Sequence, residues 1–422
     1  MVDLFTTYFR FNINHKTLET LIVQGGMGAG VSLELLARAA ADTGSIGTIA
    51  TTGLKYFGKL PDNNESNIIL GINNLVLASD YEENYQKAVL AGMDFVASGA
   101  GLSKEVIRRT KDQEDYFGKK HCWTIPLISN VEQLRKRIER RPGYIILENI
   151  DSGGHNGEGK GFEGTLEEYR SSAIDKGKTK VIFAGGIRTP DDFVKVIDHG
   201  FDAAQLGTAF LRSIEANYKF KDNVIHAGEE GWPSARRIPS VTGLPANGFP
   251  IEIMEGVLNG VKYERLICSG DESFESNKTP EGKKNNKSKG CISDCTRIAH
   301  SAKQAGINPD SVGNFCIMQA LRATLQIGTK IDYPALVFSG LYPEKLPKWC
   351  ADGKPIPARE IIGRYLIGAY DSIIGGAYKT PGFNGKITDE HRFFLEEQFK
   401  IYSSNELVPL KAKILNERSF AV

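Results

Sequence analysis

Two glycine motifs near the middle of the chain have the make-up of a phosphate site. Ala184-Gly185-Gly186-Ile187 and Gln205-Leu206-Gly207-Thr208 each close a short apolar run. Glycine lets an anionic oxygen reach backbone N–H groups where a Cβ would intrude, and a following helix N-terminus adds favourable partial charge. One such motif alone reads as well as a tight turn; two on consecutive strands make a phosphate cup. Upstream lies Glu148-Asn149-Ile150-Asp151-Ser152-Gly153-Gly154-His155-Asn156-Gly157, an imidazole set among glycines. His155 is the catalytic candidate: with an ordinary pKa of about 6.5 it can accept a carbon-bound proton or, protonated, stabilise an anionic substrate. Glu148 reads either as a ligand for a bound ring or as a satisfied polar residue at a strand end. In Gln24-Gly25-Gly26-Met27-Gly28, small residues such as Gly26 let a flat ring lie against backbone, with Met27 packing on its face. Asn73, closing Leu70-Gly71-Ile72-Asn73, is the candidate for a hydrogen bond to that ring.

These residues need a scaffold that brings their loops to one end. Eight apolar runs supply it: 21–24, 46–51, 67–73, 95–98, 124–129, 144–150, 180–184 and 203–206. Helix-like amphipathic stretches at 32–41, 82–91, 131–140, 166–175 and 190–198 lie between them, the pattern of repeated βα units around a buried parallel sheet. Eight such units predict an α/β fold, a (β/α)8 TIM barrel, over residues 1–217. A doubly wound sheet would carry its glycine fingerprint after the first strand. Gly25-Gly26-Met27-Gly28-Ala29-Gly30 stands there but does not read GxGxxG, and the phosphate motifs follow strands seven and eight, as in a barrel. Beyond 217 the alternation stops. Residues 218–355 read as a smaller second domain, loop-heavy over 218–250 and helical at 295–305 and 314–326, with a polar solvated loop at 271–290. Residues 356–422, helical at 358–370 and 388–402, read as C-terminal helices packing back on the barrel, plus a tail.

Composition narrows the class further. Fifty-two basic residues face 51 acidic ones, a formal charge of +1, which favours a small-molecule substrate over nucleic acid or a membrane surface. The first ten residues do not form a secretory signal, and no run of about 18 apolar residues offers a membrane span. The six scattered cysteines suit reduced thiols, and the expected location is the cytoplasm. No metal site is expected. An apolar face on the second domain could serve a lid or a homodimer.

The ordered set of motifs at 24–28, 71–73, 98–101, 152–157, 184–187 and 205–210 resembles the nitronate monooxygenase family, formerly called 2-nitropropane dioxygenases. The flavin-type enoyl-acyl-carrier-protein reductases belong to the same superfamily. The resemblance spans about residues 20–215 and implies FMN bound non-covalently at the barrel's C-terminal face. It places Met27, Asn73, Glu148, Gly153, Gly186, Gln205, Gly207 and Thr208 around the cofactor, and His155 beside the reacting carbon. It implies an oxidoreductase in which a small nitronate reduces the flavin and O2 completes its conversion to a carbonyl compound and nitrite. Glu148 stands where many nitronate monooxygenases carry Gln, and a negative charge there would change the flavin's electronics. Asn247 stands where the family's glycine-proline segment leads one to expect arginine. Cys291, Cys295 and Cys316 resemble a cysteine-rich segment of longer members, and free thiols are the reading. Other readings are an NAD(P)H-dependent enoyl-thioester reductase on the same scaffold, a non-catalytic flavin-binding interaction protein, and a non-flavin phosphate-binding barrel.

Overall fold

The computed structural model describes residues 11–250 and 336–374, apart from 29, 53, 55–58, 64–66, 77, 79, 102, 112, 114–120, 219–220, 233, 239, 241–243 and 350–352. The helices read at 295–305, 314–326 and 388–402, the 271–290 loop and all the cysteines except Cys122 lie outside these residues.

A hairpin of β1 (Phe11–Ile13) and β2 (Lys16–Leu18) opens the described chain. Eight parallel strands then close the predicted barrel: β3 (Ile22–Gln24), β4 (Ile46–Ala50), β5 (Ile69–Leu75), β6 (Phe95–Gly99), β7 (Trp123–Ile128), β8 (Tyr144–Glu148), β10 (Lys180–Ala184) and β11 (Ala203–Leu206). The two-residue β9 (Gly154–His155) stands outside it. The strands pair in chain order, and β11 returns to β3. Register levels the chemistry: Ala184 pairs with Glu148 on one side and Gln205 on the other, and Leu206 pairs with Gln24. The loops that follow β3, β8, β10 and β11 therefore leave the barrel at one height.

The hairpin closes the opposite end. Phe11 and Ile13 are buried there, and Tyr144 packs against Phe11 (ring centroids 5.3 Å apart) and edge-on to Trp123 (4.8 Å). At the hairpin turn, where Asn14 and His15 adopt left-handed φ of 52° and 68°, Asn14 donates to Asp94 at 3.1 Å and accepts from the Trp123 indole at 3.2 Å. Lys16 pairs with the buried Asp94 at 2.9 Å.

Outside the strands run α1 (Glu34–Ala41), α2 (Tyr81–Leu90), α3 (Lys104–Arg109), α4 (Val131–Ile138), α5 (Phe162–Ser171), α6 (Pro190–Asp198), α7 (Lys221–Ile225) and α8 (Ala358–Ile374). The side chains of Ser103, Asn130 and Thr189 accept the N–H groups of Val106, Gln133 and Asp192 in the first turns of α3, α4 and α6, as N-cap residues do. The helix read at 166–175 begins earlier, at Phe162, because the carboxylate of Asp151 accepts the Phe162 N–H at 2.9 Å and starts the helix from across the loop. The last helix, α8, packs on α6 and α1 and completes the ring of helices. A Cβ on its Gly368 would lie 2.4 Å from Pro190, so glycine is what permits the close approach. Tyr365 of α8 is buried and donates to the Arg188 carbonyl at 2.9 Å, tying the helix to the loop after β10.

The segment 218–250, read as loop-heavy, also carries short strands. This segment contributes β12 (Arg236–Ile238) and β13 (Ala246–Pro250), which form an antiparallel sheet with β14 (Leu336–Phe338). Strands this short, containing Gly248 and Pro250, show no alternation for a sequence to reveal. The same β13 pairs with β9, setting Ala246 opposite His155 and Asn247 opposite Gly154. This small sheet thus lies across the open end of the barrel.

Candidate active site

All twelve residues singled out by the sequence line one cavity at the C-terminal mouth: Gly26, Met27, Asn73, Glu148, Gly153, His155, Gly185, Gly186, Gln205, Leu206, Gly207 and Thr208. On one side lie the two glycine motifs. Gly185 and Gly186 have φ of +97° and +71°, a region L side chains avoid. A Cβ on Gly186 would approach the Phe162 Cβ to 2.7 Å, whereas a Cβ on Gly207 would meet nothing within 4 Å. Among the described residues, the N–H groups of Gly186, Ile187, Gly207 and Thr208 donate to no protein acceptor. Buried or half-buried N–H groups without partners are costly, and four around one hollow form a cradle that an anionic oxygen would satisfy. Arg188 adds a positive charge: its Nε donates to the Gly186 carbonyl at 2.9 Å, and Nη2 lies 3.7 Å from Asp151 Oδ2.

The opposite wall comes from β3 and β5. A Cβ on Gly26 would strike the Asn73 Cβ at 2.4 Å, so only glycine fits. Asn73 uses its amide N–H to hold the Gly26 carbonyl at 2.9 Å, which shapes this wall and leaves its side-chain oxygen for a ligand. Gln24 lies beneath, accepting from Thr48 N at 3.0 Å and donating to Ser32 Oγ at 2.9 Å. Met27 is half-buried beside it.

The loop after β8 is drawn tight by Asn149, which donates to the Gly185 carbonyl at 2.8 Å and accepts from Asp151 N at 2.8 Å. His155 leaves this loop on β9. Its Nε2 is 2.6 Å from the hydroxyl of buried Ser240, and its ring packs edge-on to Phe338 with centroids 5.3 Å apart. With Nε2 engaged, Nδ1 is the nitrogen left for a ligand. Burial without a nearby carboxylate pushes the imidazole down to about 4. Of the two roles open to it in the sequence, the depressed pKa favours the neutral acceptor. Burial also pushes Glu148 up to about 8, which favours the uncharged acid near pH 7.

Several lining residues escape sequence reasoning. Asp151 sits inside a motif already noticed and Arg188 directly follows another, but their pairing joins two loops and has no local signature. Phe338, Ser339 and Gly340 arrive from far along the chain. Gly340 N donates to Thr208 Oγ1 at 2.8 Å, and a Cβ on Gly340 would lie 2.7 Å from the Asp151 carbonyl. A Cβ on Gly153 would likewise crowd Ser339, 2.9 Å away. The Ser339-Gly340 pair is a turn signal in the sequence, the one hint available. The Asn247 amide donates to the Ile150 and Ser152 carbonyls at 2.6 and 2.7 Å, so it supports the loop rather than facing the cavity. Cys122 is a half-buried thiol pushed up to about 12, which disfavours the nucleophilic thiolate.

Fold and cavity together define a (β/α)8 barrel with an anion cradle and a half-buried imidazole at its C-terminal mouth. The family model described as nitronate monooxygenase matches residues 62–229, so the resemblance read from the motifs holds over the greater part of the barrel. Among solved structures, FabK from Thermotoga maritima is similar with a TM-score of 0.55 and 17% identity, covering 85% of this chain and 96% of that one. A nitroalkane oxidase from Streptomyces ansochromogenes follows at 0.53 and 17%, covering 85% and 98%. The enoyl reductase domain of MlnA from Bacillus amyloliquefaciens gives 0.53 and 14%, covering 85% and 96%. At such identities the likeness is one of fold. No curated protein matches the sequence. The chain thus shares the (β/α)8 barrel fold of these proteins.

The cradle of unpartnered N–H groups fits a phosphate monoester, and the floor of Gly25, Gly26 and Met27 fits a flat ring; the two requirements of FMN meet in one cavity. Among the described residues no three His, Cys, Asp or Glu side chains gather to hold a metal, and no helix is long and apolar enough to cross a membrane.

Proposed function

We propose that the chain is an FMN-dependent oxidoreductase of nitronate monooxygenase type, oxidising a small nitroalkane or its nitronate with O2 as acceptor. The observation that carries this reading is a neutral imidazole, His155, sharing a cavity with the glycine cradle. Gly186, Ile187, Gly207 and Thr208 would hold the phosphate through backbone N–H groups, and Gly26, Met27 and Asn73 would face the ring. FMN, when bound, supplies a two-electron acceptor that oxygen can reoxidise. His155 accepts the proton from the carbon beside the nitro group at Nδ1, or holds a nitro oxygen by a hydrogen bond; Ser240 fixes the ring's orientation through Nε2. The small sheet across the mouth limits water around these groups.

One observation favours a second reading. Leu127, Phe338, Leu341 and Leu346 give the cavity an apolar side suited to an acyl chain, as an NAD(P)H-dependent enoyl-thioester reductase would need. Oxygen uptake and nitrite release on adding the anion of a small nitroalkane, with no response to NADH or NADPH, is the expected result. Consumption of a nicotinamide only when an enoyl thioester is present, with no nitrite from any nitronate, would transfer the assignment to the reductase.

A further inference from the structure

Glu148 is a carboxyl group without a cation. It ends β8 on the cavity wall, level with Ala184 of β10. The other ionisable groups lining the cavity are Asp151, His155 and Arg188. Arg188 is committed to the Gly186 carbonyl and to Asp151, and His155 is neutral. The elements around β8 add no charge on this side. Strands β7 and β11 carry no ionisable side chain, and α4 presents Val131 and Leu134 to the barrel. Lys180 of β10 sits at the far end of its strand, opposite Tyr144, and binds Asp202 at 3.2 Å. A half-buried carboxylate on a cavity wall with no counter-ion nearby favours keeping its proton. Burial raises Glu148 to about 8. A protonated carboxyl offers one O–H donor, whereas a carboxylate only accepts. The pyrimidine end of an isoalloxazine ring is rich in acceptors, so a carboxylate beside it repels what the acid would bind.

We infer that Glu148 is carried as the uncharged acid and donates a hydrogen bond to the flavin ring, so that the cofactor binds through the protonated form and is released as that proton leaves. This rests on the proposed function, which supplies the flavin. The sign follows from linkage: if only the acid form binds, affinity is constant well below the carboxyl's pKa and falls above it. The test is the FMN dissociation constant of the apoprotein, from quenching of flavin fluorescence, between pH 6 and pH 9.5 for wild type and Glu148→Gln. Glutamine keeps an N–H donor and cannot titrate. Wild type should bind about tenfold more weakly at pH 9 than at pH 7, while E148Q stays level once titrations of free FMN, common to both, are subtracted. Parallel curves for the two proteins would overturn the inference while leaving the flavin reading intact. Failure of both to bind FMN at any pH would overturn both. A second measurement needs no variant: calorimetry in buffers of different ionisation enthalpy should find uptake of about one proton per FMN bound near pH 9, and uptake of none overturns the inference.

Discussion

Replacing Gly207 by tryptophan is expected to weaken FMN binding by about a hundredfold or more while the apoprotein keeps its fold. Gly207 has φ −115°, accessible to any L residue, and a Cβ there meets no protein atom within 4 Å. The added Cβ therefore meets no protein atom, and the bulk beyond it is expected to occupy the hollow over the cradle. Two charge-assisted hydrogen bonds lost to a phosphate cost about 3 kcal/mol, which is about a hundredfold in affinity. Gly186 would be a poorer probe, because its φ of +71° and the 2.7 Å approach to Phe162 confound ligand exclusion with misfolding. Fluorescence titration with FMN, beside thermal melting of both apoproteins, separates the two effects. Undiminished FMN affinity in a folded G207W protein would remove the phosphate from this cradle.

His155→Ala is expected to leave FMN bound and to lower turnover of a nitroalkane by about 10²-fold or more. The side chain lies on the small sheet, not on the glycine loops, so its loss should spare the cradle. Because the imidazole is held near 4, the wild-type rate should be level on the acid side down to about pH 5 and fall only below it, as the base becomes protonated. An unperturbed histidine would already lose rate near pH 6.5. Steady-state kinetics of both proteins across this range are the check, and equal turnover at pH 7 would strip His155 of its role.

The barrel was legible because parallel strands buried on both faces read as apolar runs, as in Tyr144-Ile145-Ile146-Leu147, all nearly inaccessible to water. Boundaries slipped where polar residues go inside. Strand β5 continues past Asn73 because Asn74 is buried, accepting from Thr51 Oγ1 at 3.0 Å and donating to the Tyr81 carbonyl at 2.8 Å. The cavity lining was legible for a related reason: glycines at strand ends mark where backbone must approach something closely, and register brings those ends level. The roof was not. Phe338 and Gly340 reach the cavity, and Ser240 reaches His155, through contacts between segments far apart in sequence, beside strands too short for a period to emerge. Charge state was also hidden, since His155 and Glu148 have ordinary side chains and acquire their protonation from burial alone.

The central claim is that the mouth of this barrel holds FMN, and the most direct measurement is the flavin content of the purified chain. Equilibrium dialysis against FMN and against riboflavin, read by visible absorption, should give one FMN per chain and much weaker retention of riboflavin, which lacks the phosphate. Equal affinity for the two flavins, or no flavin retained at all, would contradict the account.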